Sequence, residues 1–303
     1  MTAAAYAAIY LIWGSTFLAI GLAVRSIPPL LMMGLRCSAA GALLLAWAAA
    51  RREPAAPRDW AHAAVAGTLM FAGAYGTLAW AEQEIASGVA ALLSATTPFW
   101  LVAFEWSGGS RPSVRTMAGL VVGLAGVALL VGGGSSRPLH AAPIAAVLAG
   151  TGAWAAGSLY ARPPRVPRSL ALSAGMSLVV GGAALLLASW GTRELAGFDP
   201  RAVSLGSIAA LAYLIVFGSL VGFTAYSFLL RVAPPARVAT YAYVNPLIAV
   251  GLGAALAGER ISPGMIAAAF VIAAGVALTL AGQNERARLD RAGGAGKLEG
   301  ECV

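Results

Sequence analysis

The sequence predicts an all-α integral membrane protein, and its composition, its long apolar stretches and an internal repeat each support that prediction. Of the 303 residues, 59% are hydrophobic and only 11% are charged, and the mean hydropathy is +0.80. A soluble domain has about 25% charged residues, so water cannot be the solvent on most of this surface. The 37 glycines suit helices that pack closely in a bilayer.

Ten apolar stretches are long enough to cross a membrane as helices, because one crossing needs about 20 residues. In chain order, predicted helices 1 to 10 cover 3–24, 30–50, 60–81, 86–106, 113–132, 141–161, 169–190, 205–230, 236–257 and 262–282. Turn and charge signals separate them, as at Ile27-Pro28-Pro29 and Arg111-Pro112. Residues 283–303 are polar and rich in glycine, and we expect them to form a disordered cytoplasmic tail.

The basic residues predict the orientation, because Lys and Arg concentrate on the cytoplasmic side of a membrane protein. An even number of crossings places both termini on one side, and that side holds fourteen Lys and Arg residues against five on the other. We therefore predict that both termini are cytoplasmic, in a bacterial inner membrane. The net charge of +8 belongs to these loops and not to a basic face on a folded domain, so nucleic acid is not an expected partner.

The chain repeats itself at a nearly constant offset. The matching pairs are Ala125–Leu129 with Ala274–Leu278, Arg111-x-Ser113 with Arg260-x-Ser262, Val89-Ala90 with Val238-Ala239, Thr97-Pro98 with Asn245-Pro246, and Trp13 with Trp154. Five helices in each copy would thread the second copy through the membrane upside down. We predict two inverted five-helix repeats, residues 1–135 and 136–282. Such repeats suit alternating access around a midplane site; a channel is the alternative, but no repeated filter-like loop supports it.

Two prolines and two polar residues fall near the predicted membrane midplane. Pro98 and Pro246 lie in predicted helices 4 and 9, and Pro98 would free the carbonyl of Ser94. Such a carbonyl must meet protein or a wet cavity, so each proline is either a structural kink or part of a site. Asn245 is either an interhelical contact or a substrate ligand, and Thr97 is its counterpart in the first half.

Several aromatic residues lie deep in the predicted helices. Trp13 is about 15 Å into predicted helix 1 at 1.5 Å per residue, which is too deep for an interfacial residue. Trp154, Tyr75, Phe217 and Tyr241 occupy varied depths in predicted helices 6, 3, 8 and 9. Each is expected either to pack against neighbouring helices or lipid, or to line a cavity with its apolar ring face.

Charged residues are rare within the predicted helices. Arg36 lies about six residues into predicted helix 2, where it either snorkels to the interface or contacts a substrate carboxylate. No acid lies near a midplane, since Glu82, Glu84, Glu105 and Glu259 all lie at helix ends. None of them is a strong candidate for proton coupling, Glu82 is the best of them, and without coupling transport would run downhill. His62 and His140 are not at metal-ligand spacing, so we predict no metal, cofactor or catalytic residue.

An ordered set of short motifs resembles a known superfamily. The set is Trp13-Gly14-Ser15, Leu35-Arg36, Asn245-Pro246 and Gly258-Glu259-Arg260-Ile261-Ser262. Together with ten helices in two inverted halves, it resembles the drug/metabolite transporter superfamily, and most closely its EamA-type exporters of the amino-acid (aromatic amino-acid) branch. The resemblance covers about 3–282. The first half departs from the pattern, with Glu105-Trp106-Ser107 where a Gly-Glu pair would usually precede Arg111.

The resemblance implies alternating access through a central cavity lined by helices 1, 3, 4, 6, 8 and 9, with export of amino acids or similar metabolites. We expect substrate contacts from Trp13, Tyr75, Ser94, Thr97, Trp154, Phe217, Tyr241 and Asn245, with helix kinks at Pro98 and Pro246. The expected partners are a small-molecule substrate and membrane lipid, and the chain is expected to be a monomer.

Other functions are weighed against the same residues. Multidrug efflux of cationic compounds by proton antiport is the alternative, but small exporters of that kind use a glutamate in helix 1 that this chain lacks. A nucleotide-sugar carrier would need basic residues in the cavity, and Arg36 is the one candidate. A membrane enzyme would need a nucleophile–base pair or a metal cluster, which the sequence does not supply.

Overall fold

The computed structural model describes residues 1–109, 111–134, 139–161, 169–233 and 238–300, with the backbone alone at 133–134, 243, 284 and 286–300. Within these ranges every regular element is helical and none is a strand. Part of the sequence evidence for turns and orientation lies outside the described residues, namely Pro163-Pro164, Pro234-Pro235, Arg137, Arg162, Arg165, Arg168 and Arg237.

Ten helices follow one another in the described ranges. They are α1 (Thr2–Ala23), α2 (Pro29–Ala50), α3 (Pro57–Ala81), α4 (Ser87–Ser107), α5 (Val114–Gly132), α6 (Ala141–Tyr160), α7 (Leu170–Gly191), α8 (Leu205–Val232), α9 (Tyr241–Ala257) and α10 (Pro263–Gly300). Nine of these described helices are long and apolar enough to span a bilayer, and α9, with 17 residues, is the exception because it is shorter.

Two boundaries differ from the sequence prediction. Helix α9 begins at Tyr241 and not at 236, because a turn at 239–240 interrupts the helical backbone. Helix α10 continues to Gly300, whereas we expected disorder from 283 onwards. Its described extension contains Glu, Arg, Leu and Ala, which favour a helix, as well as the glycines from which disorder was expected. Residues 301–303 lie outside the described chain.

Small residues allow the helices to pack closely. Helix α2 packs against α7, and a side-chain carbon added at Gly182 would overlap Ser38 of α2. Helix α5 packs against α10 in the same way, and a Cβ atom added at Gly275 would overlap the backbone of Gly123. Packing through small residues is the usual way in which helices associate in lipid, where burial alone gives little driving force.

The remaining helices surround the centre of the bundle. Helix α1 packs against α8 and α9, and α3 packs against α6. Helix α4 is the most enclosed candidate span, with 78% of its most apolar stretch buried. Exposed apolar side chains such as Leu43, Leu124, Leu187 and Phe270 cover the outside of the bundle, as lipid contact requires.

Three of the described helices depart from regular α geometry near the centre of the bundle. Helix α4 is interrupted between Ser94 and Thr97. Helices α3 and α8 each contain a π-helical segment, Thr68–Tyr75 and Leu214–Phe223. Segments of this kind are often found at functional sites, and here they adjoin the cavity described below.

The α5–α10 contact generates a stability prediction. Gly275→Ala should lower the free energy of unfolding by about 1–3 kcal/mol, because the added methyl group would overlap the α5 backbone. Gly251→Ala is the matched control, since a methyl group there meets no atom within 4 Å. Thermal unfolding in detergent measures both. Equal stability of the two variants would contradict the close packing.

Candidate functional site

A cavity of about 90 Å³ lies at the centre of the bundle. It is lined by Trp13, Thr16, Phe17 and Ile20 of α1, Arg36 of α2, Ala74, Tyr75 and Leu78 of α3, Ser94 and Thr97 of α4, Val147, Gly150, Thr151 and Trp154 of α6, and Tyr241 and Asn245 of α9. The lining therefore comes from both halves of the chain. Since one buried water needs about 10–15 Å³, the cavity has room for roughly six to nine atoms of similar size.

Aromatic rings form one wall of the cavity. Tyr75 stacks on Trp154 with ring centroids 5.5 Å apart and planes 8° from parallel. Trp13 meets both Trp154 and Tyr241 edge to face at 5.5 Å. These offset and edge-on arrangements are the ones that aromatic quadrupoles favour, so the wall is a fixed apolar surface rather than a loose collection of rings.

Trp13 is held in this wall by α8. Its indole Nε1 donates a hydrogen bond of 3.1 Å to the carbonyl of Gly218 in the π-helical segment. At Gly222, one turn further, an added Cβ would overlap the Trp13 ring. Glycine is therefore required at Gly222 for α8 to approach the indole this closely.

Arg36 brings a buried positive charge to the cavity. Its side chain is 1% exposed, and it forms no salt bridge with a described carboxylate. Its Nε donates to Ser219 Oγ at 2.9 Å, its Nη1 lies 3.6 Å from Met33 Sδ, and its Cζ lies 4.4 Å from the centre of the Tyr75 ring. The expectation that Arg36 snorkels to the interface is wrong, because Ser219 and Tyr75 hold the guanidinium inside.

The hydroxyl groups of the cavity donate to their own helices. Thr97 Oγ1 donates to the carbonyl of Ser94 at 2.8 Å, so the carbonyl that Pro98 leaves free is already occupied. Thr16 and Thr151 each donate to a carbonyl three residues earlier at 2.7 Å. Because their protons are used in this way, these three hydroxyl oxygens are left mainly as hydrogen-bond acceptors.

Asn245 connects α9 to α1. With its amide oriented as its neighbours require, the side-chain nitrogen donates to the carbonyls of Tyr10 at 3.1 Å, Ile9 at 3.3 Å and Tyr241 at 3.2 Å. It is 5% exposed and also lines the cavity. The two roles considered for Asn245 are therefore compatible with one position, since the amide bridges two helices at the cavity wall.

The two prolines have different local settings. Pro98 lies in the first turn of the second part of α4, directly after the interruption, where a missing N–H costs nothing. Pro246 lies inside α9, next to Asn245. Pro98 therefore directly follows the interruption of α4, whereas Pro246 lies six residues after the turn at 239–240, and its kink remains a prediction.

Seven of the eight predicted contact residues line the cavity, and Phe217 does not. Phe217 is 45% exposed and stacks on Tyr213 at 5.1 Å on the outside of α8. Phe217 was expected at the site from its depth in predicted helix 8, and depth alone does not fix the face of the helix on which a side chain lies. Among the described residues α8 supplies none of the cavity lining and contacts the site through the Gly218 carbonyl that binds Trp13, whereas α2, absent from the expected set, supplies Arg36.

Two hydroxyl residues of the lining, Thr16 and Thr151, were not predicted from the sequence. Each is a hydroxyl residue near the middle of a long apolar helix, three residues after Trp13 in one case and three before Trp154 in the other. Their nearness to the two tryptophans on α1 and α6 is the signal that could have identified them.

Comparison with known proteins gives a consistent family. The sequence pattern of the EamA-like transporter family matches residues 2–132 and again residues 141–281. The chain is 38% identical over 260 residues to the "Uncharacterized inner membrane transporter YedA" of Escherichia coli (strain K12), covering 84% of this chain and 82% of that protein. It is 23% identical over 280 residues to the "Uncharacterized transporter YvbV" of Bacillus subtilis (strain 168), covering 91% and 90%.

A solved structure has a similar fold. One protein crystal structure superposes with a TM-score of 0.66, covering 93% of this chain and 98% of its own, at 21% sequence identity. At that identity the likeness concerns the arrangement of helices alone.

The Asn245 bridge generates a second stability prediction. Asn245→Leu should lower the free energy of unfolding in detergent by about 0.6–1.7 kcal/mol, because interhelical hydrogen bonds within membranes contribute in that range. Phe217→Leu is the control, since its ring lies on the outer surface. An Asn245→Leu chain as stable as the control would show that the amide does not hold α9 to α1.

Proposed function

This chain belongs to the EamA-like transporter family, and we propose that it exports amino acids or similar small metabolites through its central cavity. The chain is a relative of YedA and has nine candidate spans among its described helices. Both findings fit a multi-pass protein of the bacterial inner membrane. The family name does not specify the cargo, so the substrate class is inferred from the chemistry of the cavity.

The unpaired charge of Arg36 carries the proposal. A buried guanidinium without a carboxylate partner is costly in a membrane protein, and the aromatic face of Tyr75 offsets only part of that cost. A substrate carboxylate in the cavity would supply the missing anion, and Arg binds carboxylates with parallel hydrogen bonds. The cavity therefore favours a small molecule with a carboxylate over a neutral or cationic one.

The other polar groups favour an amino group on the same molecule. The hydroxyl oxygens of Thr16, Thr97 and Thr151 face the cavity region with their protons already donated to backbone carbonyls. An ammonium group has three donors and no acceptor, so it complements these oxygens. A zwitterion thus matches a cavity that has one cation and several acceptors.

The apolar wall accounts for the side chain of such a substrate. Trp13, Tyr75, Trp154 and Tyr241 form a rigid aromatic surface beside the polar groups. Apolar side chains would pack on this wall, and the cavity volume admits a molecule of about the size of a small amino acid in this conformation.

The arrangement of helices supports alternating access between two inverted halves. Helices α2 and α7 pack on each other, as do α5 and α10, and these are the counterparts in the predicted repeats. The α1–α8 contact likewise corresponds to the α3–α6 contact, and α1–α9 corresponds to α4–α6. Two like halves around a shared cavity suit rocking about a central site, with ten crossings and both termini cytoplasmic.

Efflux of large cations is the less favoured alternative. Arg36 would repel a cation within the cavity, and like charges at close range in a buried site are unfavourable. The proposed substrate and this alternative therefore differ in the sign of charge that the cavity accepts.

A transport assay separates these substrate classes. Reconstituted protein should move labelled amino acids into proteoliposomes and should not move quaternary ammonium compounds, because Arg36 selects a carboxylate. Empty liposomes are the control. Movement of quaternary ammonium compounds without any amino acid would overturn the proposed substrate class.

Substitution of Arg36 tests the role of its charge. Arg36→Gln should reduce amino-acid transport by about 10–100-fold, since a charge-assisted hydrogen bond contributes about 1.5–3 kcal/mol. Phe217→Leu should leave transport unchanged, because Phe217 lies outside the cavity. Initial rates in proteoliposomes, corrected for the amount of reconstituted protein, measure both. Full activity of Arg36→Gln would remove Arg36 from the binding site.

A further inference from the structure

Glu82 lies beyond the cavity, at the end of the bundle where α3 and α4 join. It directly follows the last residue of α3 and stands one helical turn past Leu78, which lines the cavity. A methyl group built at Gly21 of α1 would contact the Glu82 carboxylate at 3.5 Å. Since Gly21 follows the lining residue Ile20, Glu82 lies between the cavity and this end of the bundle.

The Glu82 carboxyl group is buried without a side-chain partner. It is 6% exposed, no described side chain hydrogen-bonds to either oxygen, and the nearest polar group is the backbone of Gly21 in α1. Two charged groups act on it, Glu259 from the segment after α9 and Arg36 from α2.

Helices α1, α4, α6 and α10 themselves carry no Asp, Glu, Lys or Arg at this end, and the charged residues that border α1 and α10 here are Arg25, Glu259 and Arg260. His140, which precedes α6, pairs with Glu84 instead, its Nδ1 lying 3.0 Å from Oε2.

The neighbouring Glu259 is fully engaged, which sets Glu82 apart. Glu259 Oε1 accepts from the backbone N–H of Ser87 at 2.9 Å and from its hydroxyl at 2.7 Å, and Oε2 accepts from the N–H of Gly88 at 3.3 Å. A carboxylate at the start of a helix is stabilised in its charged form. Glu259 therefore has a structural role at the first turn of α4, whereas the Glu82 side chain caps no described helix.

Burial favours the neutral form of Glu82. It raises the pKa of Glu82 well above its usual range, and the negative charge of Glu259 adds to the rise, while the backbone N–H of Gly21 and the positive charge of Arg36 oppose it. A carboxylate removed from water without a counter-ion is costly, whereas the protonated acid is much less so. If this end of the bundle opens, water reaches the carboxyl group and the ionised form becomes favourable again.

We propose that Glu82 is a proton-binding site whose protonation is required for this end of the cavity to close. Each closure then takes one proton from solvent onto a Glu82 carboxylate oxygen, and each release returns it to solvent. The proposal rests on the proposed transport function, since it gives that function a source of energy. Under the predicted orientation α3 ends on the outer side, so a proton bound from outside and released through the cavity to the cytoplasm would drive export.

Accessibility of a cysteine near Glu82 tests the proposal without a substrate. Ile20→Cys, in a chain that also carries Cys37→Ala and Cys302→Ser, places a thiol at the cavity wall beside Gly21. Its labelling rate by a maleimide is measured in detergent, with Glu82 present and in a Glu82→Gln chain, which stays neutral at every pH. The second chain corrects for the pH dependence of the thiol itself.

The decisive quantity is the labelling rate of Ile20→Cys in the chain that keeps Glu82, divided by its labelling rate in the Glu82→Gln chain. It should rise about fivefold or more between about pH 6 and about pH 9, because ionisation of Glu82 opens this end. A ratio that stays constant over this range would overturn the proposal. Glu84→Gln is the matched control, because Glu84 is exposed and only two residues away, and its labelling profile should follow that of the parent chain.

Two further measurements keep the test independent of folding and of the substrate class. If Glu82→Gln does not fold, Ile20→Cys is compared with the exposed Gln83→Cys in chains that keep Glu82, and that ratio must rise in the same way. In proteoliposomes, exchange of any compound that the protein moves should lose its pH dependence in Glu82→Gln and keep it in Glu84→Gln. Failure of amino acids to move would overturn the substrate assignment and leave the labelling result standing.

Discussion

The absence of water within a bilayer is the constraint from which the other features of this structure follow. Backbone groups must be satisfied within the segment, so the described elements that can cross the membrane are helices. Charged side chains must be excluded, partnered or directed at a cavity, and only 11% of the chain is charged. The few polar groups that remain inside are therefore informative. Asn245 bridges two helices, Glu259 caps one, and Arg36 and Glu82 form no salt bridge with a described residue.

Irregular helix geometry shapes the central cavity. The π-helical segment of α8 turns Phe217 outwards and presents the Gly218 carbonyl to Trp13, while Gly222 leaves room for the indole. The corresponding segment of α3 ends at Tyr75, which stacks on Trp154 and lies against Arg36. The interruption of α4 ends at Thr97, whose hydroxyl occupies the Ser94 carbonyl. Each departure from α geometry thus contributes one side of the proposed binding site.

Much of the fold was accessible from the sequence, because apolar length and turn residues report directly on membrane crossing. The predicted ranges agree with α1 to α8 within a few residues, and α9 differs because the turn at 239–240 has no strong sequence signal. In the candidate site, depth along a helix predicted Trp13, Trp154 and Asn245 at the cavity. Direction around a helix axis was less accessible, since Phe217 lies where the period changes. For Arg36, the anchoring groups Ser219 and Tyr75 come from other helices, and no local pattern encodes them. The inverted order of the two halves and the roles of the site residues remain predictions.

The central claim is that the unpaired charge of Arg36 selects a carboxylate. The most direct measurement compares the affinity of the purified protein for an amino acid that it transports with its affinity for the corresponding C-terminal amide, in the parent chain and in Arg36→Gln. The account predicts a preference of about tenfold or more for the free acid in the parent chain, equivalent to about 1.4 kcal/mol, and its loss in Arg36→Gln. Equal affinity of the parent chain for the acid and the amide would contradict it.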